Sequence, residues 1–319
     1  IDKEFMPSVA NVIGTDLSRY KLISKGLFAC NPMHVGRDER LPIALYEKDN
    51  AAIVSPAYFM FEIIDRDVLN EEYLMMWFRR PEFDRECWFM TDGSVRGGIS
   101  WDDLCRIQLP VPPYERQLDV VESYRAITRR IAMKKEINDN LEAVLAASHS
   151  KMFFSKDTSE HSKLGELMTF GNGKSRPKTD GPIPVYGGNG VLSYTDHHNI
   201  ENAVLIGRVG AYCGSVYLEQ GICWVSDNAI FAKSKITKDE FFDYFLLKRL
   251  NLFNHHVGTG QQLLTQEILN NIEVPKPVTE QIELFNRKAT SIFETIFTNS
   301  REIIRLQELS DLLLSRLAG

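Results

Sequence analysis

The sequence predicts an α+β protein: two α/β domains joined by a long antiparallel two-helix coiled coil, with an internal pseudo-twofold repeat. Three observations predict it. First, a closing motif occurs twice. Residues 99–117 read Ile-Ser-Trp-Asp-Asp-Leu-Cys-Arg-Ile-Gln-Leu-Pro-Val-Pro-Pro-Tyr-Glu-Arg-Gln, and residues 264–281 read Leu-Thr-Gln-Glu-Ile-Leu-Asn-Asn-Ile-Glu-Val-Pro-Lys-Pro-Val-Thr-Glu-Gln. Both run apolar-Ser/Thr, then Ile-x-(Leu/Val)-Pro-x-Pro, then Glu and Gln. Second, weaker matches precede each copy at a common offset of 171: Ser55-Pro-Ala-Tyr-Phe-Met-Phe with Ser226-Asp-Asn-Ala-Ile-Phe-Ala, and Glu72-Tyr-Leu-Met-Met with Asp243-Tyr-Phe-Leu-Leu. Third, a seam with steps of three and four residues follows each closing motif, the spacing of a coiled coil.

The elements follow in order. Residues 1–112 form the first domain, with strand-like stretches in Ala51–Ile64 and a helix over Glu71–Phe78. Residues 113–154 form the first helix, whose seam runs Val120, Tyr124, Ile127, Ile131, Lys134, Asn138, Leu141, Leu145, Ser148, Met152. Residues 155–277 form the second domain, with strands at Ala203–Ile206 and Ala229–Ala232 and a helix over Glu240–Leu250. Residues 278–319 form the second helix, whose seam runs Ile282, Phe285, Ala289, Ile292, Ile296, Asn299, Ile303, Leu306, Ser310, Leu313, Leu317. The prolines around 110–113 and 275–277 end a strand and start each helix, because proline is tolerated in a first helical turn but not inside. Each helix has a seam to bury, and antiparallel pairing buries both at once. Asn138 and Asn299 both lie near mid-helix. They are expected to meet and help to set the register, as buried polar seam residues do.

Composition excludes several classes. No apolar run approaches the ~20 residues of a membrane span, and no secretory signal pattern is present, so the expected location is cytoplasmic. Five cysteines without a CxxC pair read as buried, reduced thiols rather than a disulfide or metal framework. The net charge of −6 argues mildly against nucleic acid. No segment is basic overall, so attraction to phosphate must come from local clusters or from a partner. Gly171-Asn-Gly-Lys-Ser imitates the end of a phosphate-binding loop, but Met168 stands where that pattern needs glycine. Asn31-Pro-Met-His lacks the second proline of a methyltransferase tetrapeptide, and no Gly-x-Ser-x-Gly elbow is present. The pairs His197-His198 and His255-His256 are adjacent and do not share a helical face, which disfavours zinc. No metal site and no catalytic residue is expected.

The duplicated closing motif, each copy followed by a heptad helix, resembles the specificity subunit of type I restriction–modification systems over essentially the whole chain. The resemblance implies that each globular part is a target recognition domain reading one half of a split DNA site. It implies that the helices set the spacing and dock methyltransferase (modification) subunits, which supply the S-adenosylmethionine chemistry, and that a restriction/translocase subunit completes the complex. The chain itself would hold no cofactor and be non-catalytic. The second domain opens with Lys163-Leu-Gly-Glu-Leu and Gly171-Asn-Gly-Lys, as the family does. The first domain shows no such opening, so its N-terminal segment is expected to be missing.

Under that resemblance the best base-reading candidates are two glycine-bearing loops aligned at an offset of 165: Gly93-Ser-Val-Arg-Gly-Gly, with Ser94 and Arg96, and Gly258-Thr-Gly-Gln-Gln, with Thr259, Gln261 and Gln262. Glycine allows close backbone approach. Arginine pairs bidentately with guanine, and glutamine with adenine. Further candidates are His34, Arg37 and Arg40 in the first domain and Tyr186, Asn189, Arg208 and Tyr212 in the second. Lys174, Arg176 and Lys178 form the densest basic cluster and suit phosphate contact. Two alternatives stay open: a protein-interaction scaffold whose coiled coil spaces two binding domains, which the acidic charge favours, and a methyltransferase, which the missing motifs disfavour.

Overall fold

The computed structural model describes residues 1–6, 16–33, 35–91, 97–155, 160–258 and 260–318. The chain divides into two compact units, one of residues 1–135 with 300–319 and one of residues 136–299.

The first unit contains β1 (Lys21–Ile23), β2 (Phe28–Cys30), α1 (Val35–Asp38), β3 (Ile43–Leu45), β4 (Ala52–Val54), β5 (Phe59–Phe61), α2 (Glu71–Phe78), α3 (Pro81–Phe89), α4 (Trp101–Arg106) and the start of α5 (Tyr114–Phe153). Its main sheet is antiparallel with order β3-β2-β5, and β1 pairs with β4. Helix α2 starts where expected because Asn70 caps it, its Oδ1 accepting from the Glu72 and Tyr73 N–H groups, with Glu71 and Glu72 favourably placed at the positive helix end. Helix α3 begins on Pro81, a pre-organised first position that the sequence reading passed over. The core gathers Phe28, Ile43, Tyr73, Met76 and Phe83 with Val121, Leu314 and Leu317 from the long helices. Here α5 runs antiparallel to the end of α9 (Thr279–Ser315): Arg130 Nε donates to Glu302 at 2.7 Å, beyond the Val121–Leu314 packing.

The second unit contains β6 (His161–Lys163), α6 (Leu164–Leu167), β7 (Met168–Asn172), β8 (Ile183–Gly187), β9 (Gly190–Thr195), β10 (Ile200–Gly207), β11 (Val216–Val225), β12 (Ala229–Ser234), α7 (Phe241–Arg249), α8 (Gln266–Asn271) and β13 (Glu273–Pro275). Its six-stranded sheet has order β7-β12-β10-β11-β8-β9, with only β11 and β8 parallel, and β13 pairs antiparallel with β6. Phe241, Leu246, Phe285 and Ala289 fill the core around Leu145 and Leu164. Asn299 Nδ2 donates to Asn138 Oδ1 at 2.9 Å, so the two seam asparagines meet as expected. The seam residues Ile127, Ile131, Asn138, Leu141, Ile292, Ile296 and Leu306 are half-buried, and Ile303 and Asn299 are buried.

The repeat is a repeat of structure. In the first unit Phe28 pairs with Leu45 and Phe61, and in the second Val204 pairs with Leu218 and Ala232. The Ile99 N–H donates to the Pro32 carbonyl, and the Leu264 N–H to the Arg208 carbonyl. The Ser or Thr that follows is a helix cap, which the motif reading did not foresee: Ser100 Oγ accepts from the Asp103 N–H, and Thr265 Oγ from the Ile268 N–H. Four cysteines are buried as expected, but Cys105 on α4 is exposed. Among the described residues no helix is long and apolar enough to cross a membrane, and no His/Cys/Asp/Glu group is placed to hold a metal ion.

Candidate nucleic-acid interface

In the second unit several backbone turns converge where β10 ends. The chain leaves β10 at Gly207. A Cβ there would collide with the Tyr212 carbonyl, so only glycine lets these strands approach. The Arg208 N–H donates to the Asn228 carbonyl at 3.0 Å. The Gly210 N–H donates to the Gln262 carbonyl at 3.0 Å. Val257 and Leu263 exchange two backbone hydrogen bonds of 2.9 Å, which closes the 258–262 loop, and Gly258 turns it at φ +93°. The β8–β9 turn stands alongside: a Cβ on Gly188 would sit 3.7 Å from the Tyr212 Cβ. Lys174 joins through its N–H to Val225 and its bridge to Ser226, next to Asn228.

Arg208, Tyr212, Asn189, Gln262 and Lys174, scattered over 89 positions (174–262) of sequence, are thus brought together. Asn189 and Gln261 are exposed at loop tips. Tyr212 is half-exposed. Arg208 is partly buried, and its Nε has no acceptor among the described residues, so the guanidinium retains a donor for a ligand. Lys174, Arg176 and Lys178 are exposed and make no ion pair among the described residues. Two groups were missed by sequence reasoning. Ser226 is 2 % exposed and its Oγ has no partner among the described residues, and the Asn228 carbonyl anchors Arg208. Both lie in the Ser226-Asp-Asn stretch that the 171-residue offset had singled out.

Tyr186 corrects the expectation of an outward reader. It is buried against Tyr217, its hydroxyl donates to Glu219 Oε2 at 3.0 Å, and burial pushes its phenol pKa upward. In the first unit, Arg37 is engaged by Asp38 through bonds of 2.6 and 2.9 Å. Arg40 lies 3.0 Å from Asp2 and 3.9 Å from Asp84. The Gly36 N–H donates to the Gly97 carbonyl at 2.8 Å, so the short α1 helix meets the end of the aligned glycine loop. His34, Ser94, Arg96 and Thr259 lie outside the described residues.

The family described as type I restriction modification DNA specificity domain matches residues 156–312. This chain carries a type I DNA specificity domain. The resemblance drawn from the duplicated closing motif is borne out, and the convergent turns at the end of β10 lie inside the specificity domain. The type I restriction–modification S subunit from M. genitalium is similar in fold over 93% of this chain and 84% of that one, at 15% identity and a TM-score of 0.61. The predicted fold class, two α/β parts with two long helices, is borne out as well. The HsdS subunit from Thermoanaerobacter tengcongensis, at 18% identity, covers 95% of this chain and 83% of that one with a TM-score of 0.36. A chain solved in work on complex assembly and conformational transition of the type I R-M system, also at 18% identity, has a TM-score of 0.48 and covers 95% of this chain and 84% of that one. No curated protein matches by sequence.

Proposed function

We propose that this chain is the sequence-reading subunit of a type I restriction–modification complex, binding double-stranded DNA at a bipartite site and carrying out no chemistry of its own. The recognition domains are residues 1–112 and 155–277, and residues 113–154 and 278–319 are the spacer helices. The observation that carries this reading is the convergence of Arg208, Tyr212, Asn189 and the 258–262 loop inside a specificity domain. Loop tips present Gln261 and Asn189 to base edges in the major groove. Lys174, Arg176 and Lys178 meet phosphates, which position the domain without carrying sequence information. The Arg208 Nε, desolvated and without an acceptor among the described residues, gains one when a ligand supplies it.

The helices serve as ruler and dock. They leave apolar side chains exposed, Ile137 and Val144 in the second unit and Ile304, Leu309 and Leu312 in the first. Such residues suit modification subunits, which bring S-adenosylmethionine and the positive charge this acidic chain lacks. A restriction/translocase subunit joins that assembly. The test is to assemble the chain with its methyltransferase and map methylated positions genome-wide. A single motif with two specified halves around an unspecified spacer is expected. Methylation without a bipartite motif, or methyl transfer by this chain alone, overturns the reading. No methylation at all favours the protein-interaction scaffold.

A further inference from the structure

Both recognition parts present an aromatic side chain at the same place. In the second unit, Asn251 takes the left-handed conformation at φ +46°, which turns the chain out of α7 and into a 3₁₀ turn, Leu252–His255. Asparagine tolerates that conformation better than most residues. The turn sends Leu252 into the core at 1% exposed and leaves Phe253 41% exposed. The Phe253 carbonyl accepts from the His256 N–H at 3.3 Å, and the His256 ring lies 4.8 Å from the Phe253 ring. In the first unit, 165 residues earlier, the same order recurs. Cys87 is buried at 0% and Trp88 is 45% exposed. The Trp88 carbonyl accepts from the Thr91 N–H at 3.1 Å, and Thr91 matches His256 at that offset.

Phe253 belongs to the convergent turns at the end of β10. A Cβ on Gly214 would stand 2.5 Å from the Phe253 nitrogen. Glycine at 214, at φ +85°, thus lets the Phe253 backbone lie against the turn that carries Tyr212. The Gly214 N–H donates to the Gly207 carbonyl at 2.8 Å, which ties that contact to β10. Val257, which closes the 258–262 loop with Leu263, is exposed as well. Phe253, Tyr212 and Val257 therefore put apolar surface beside Arg208, Gln261 and Gln262. Apolar residues scattered singly over a surface are ordinary, whereas three on adjoining turns mark a binding face.

We propose that Phe253 reads the 5-methyl group of a thymine in the half-site bound by the second unit. Among the groups that base edges show in the major groove, that methyl is the apolar one. Beside a donor or acceptor of another base, the ring would desolvate a polar group and return no hydrogen bond. Phe253 therefore favours thymine at one position, while Arg208 and the loop glutamines address hydrogen-bonding edges. The inference deepens the specificity reading and rests on it.

Uracil in place of thymine removes the methyl and keeps the base pair, which gives a direct test. Each thymine of the mapped site, on either strand, is replaced singly by uracil, and binding of the assembled complex is measured by fluorescence anisotropy. The wild-type complex is expected to bind about fourfold more weakly when one particular thymine is replaced, the worth of one methyl group taken out of water. Phe253→Ala is expected to weaken binding to the thymine site and to make that replacement silent. Phe253→Leu, which keeps apolar contact, is expected to keep the response. A wild-type complex indifferent to uracil at every thymine overturns the inference, and that arm needs no variant to fold. A Phe253→Ala complex that keeps the whole loss overturns it too. So does a Phe253→Ala chain that no longer assembles with its methyltransferase by light scattering, because the apolar face would then hold a protein. These three outcomes leave the specificity reading standing, whereas the absence of any bipartite site overturns both.

Discussion

His149 sits in a cage of Phe153, Phe154, Phe242, Phe245 and Phe285, with ring centroids 5.0 to 6.0 Å away. Burial lowers its pKa to about 3. The unfolded chain binds a proton near the usual ~6.5, while the folded chain resists it. Stability is therefore full above about pH 6.5 and is lost progressively as pH falls toward 3. His149→Phe is expected to flatten that acid limb, which urea midpoints measured at pH 4.5 and 7.5 would show. At the interface the expected effects differ by residue type. Arg176→Ala, if it removes one phosphate contact, weakens all DNA sequences alike and reduces the salt slope of log K by about 0.9. Gln261→Ala instead changes preference at one position of the site. Fluorescence-anisotropy titrations of the assembled complex at several salt concentrations distinguish the two. The loop glutamines and the basic cluster were legible in the sequence because turn residues and charge are local properties. The inward turn of Tyr186 was not, since it follows from a sheet that puts Glu219 beside its hydroxyl.

Each long helix is anchored to its own unit by a buried amide. Gln117 is fully buried; its Oε1 accepts from the Asn70 N–H, and its Nε2 donates to the Val68 and Pro112 carbonyls. Asn286 does the same work in the second unit, accepting from the Phe242 N–H and donating to Thr237 and to the Asp239 carbonyl. The sequence motif aligns Gln117 with Gln281 instead, yet Gln281 is exposed. The structural role has moved five residues along the helix, to a residue on the buried face. Gln117→Leu leaves the Asn70 N–H and two carbonyls without their partner, and a loss of about 1–3 kcal/mol in urea denaturation is expected. The paired seam asparagines behave differently. Asn299→Leu takes from the Asn138 Oδ1 the amide that donates to it and is destabilising, whereas Asn138→Leu with Asn299→Leu removes both sides of that bond and restores much of the loss. A double-mutant cycle that shows no coupling would exclude a role in register. The helices themselves were plain from their spacing, because each seam is a one-dimensional pattern imposed by a two-dimensional contact.

At the scale of the whole molecule, the two units share a strand pairing and a helix order, and they diverge in what surrounds those elements. Independent loops on a shared frame predict independent specificity. Exchanging residues 258–262 for another loop sequence is expected to change one half of the methylated motif and leave the other intact, as single-molecule methylome sequencing would report. A change in both halves would show that the halves are read jointly. The sequence by itself determined the class, the duplication, the two helices and the position of each closing motif, because local spacing and repeated order survive wherever the chain folds. Only the tertiary structure decided which residues share a site. Arg208, Tyr212, Asn189 and Gln262 are remote in sequence and meet through strand register and glycine-permitted close approach.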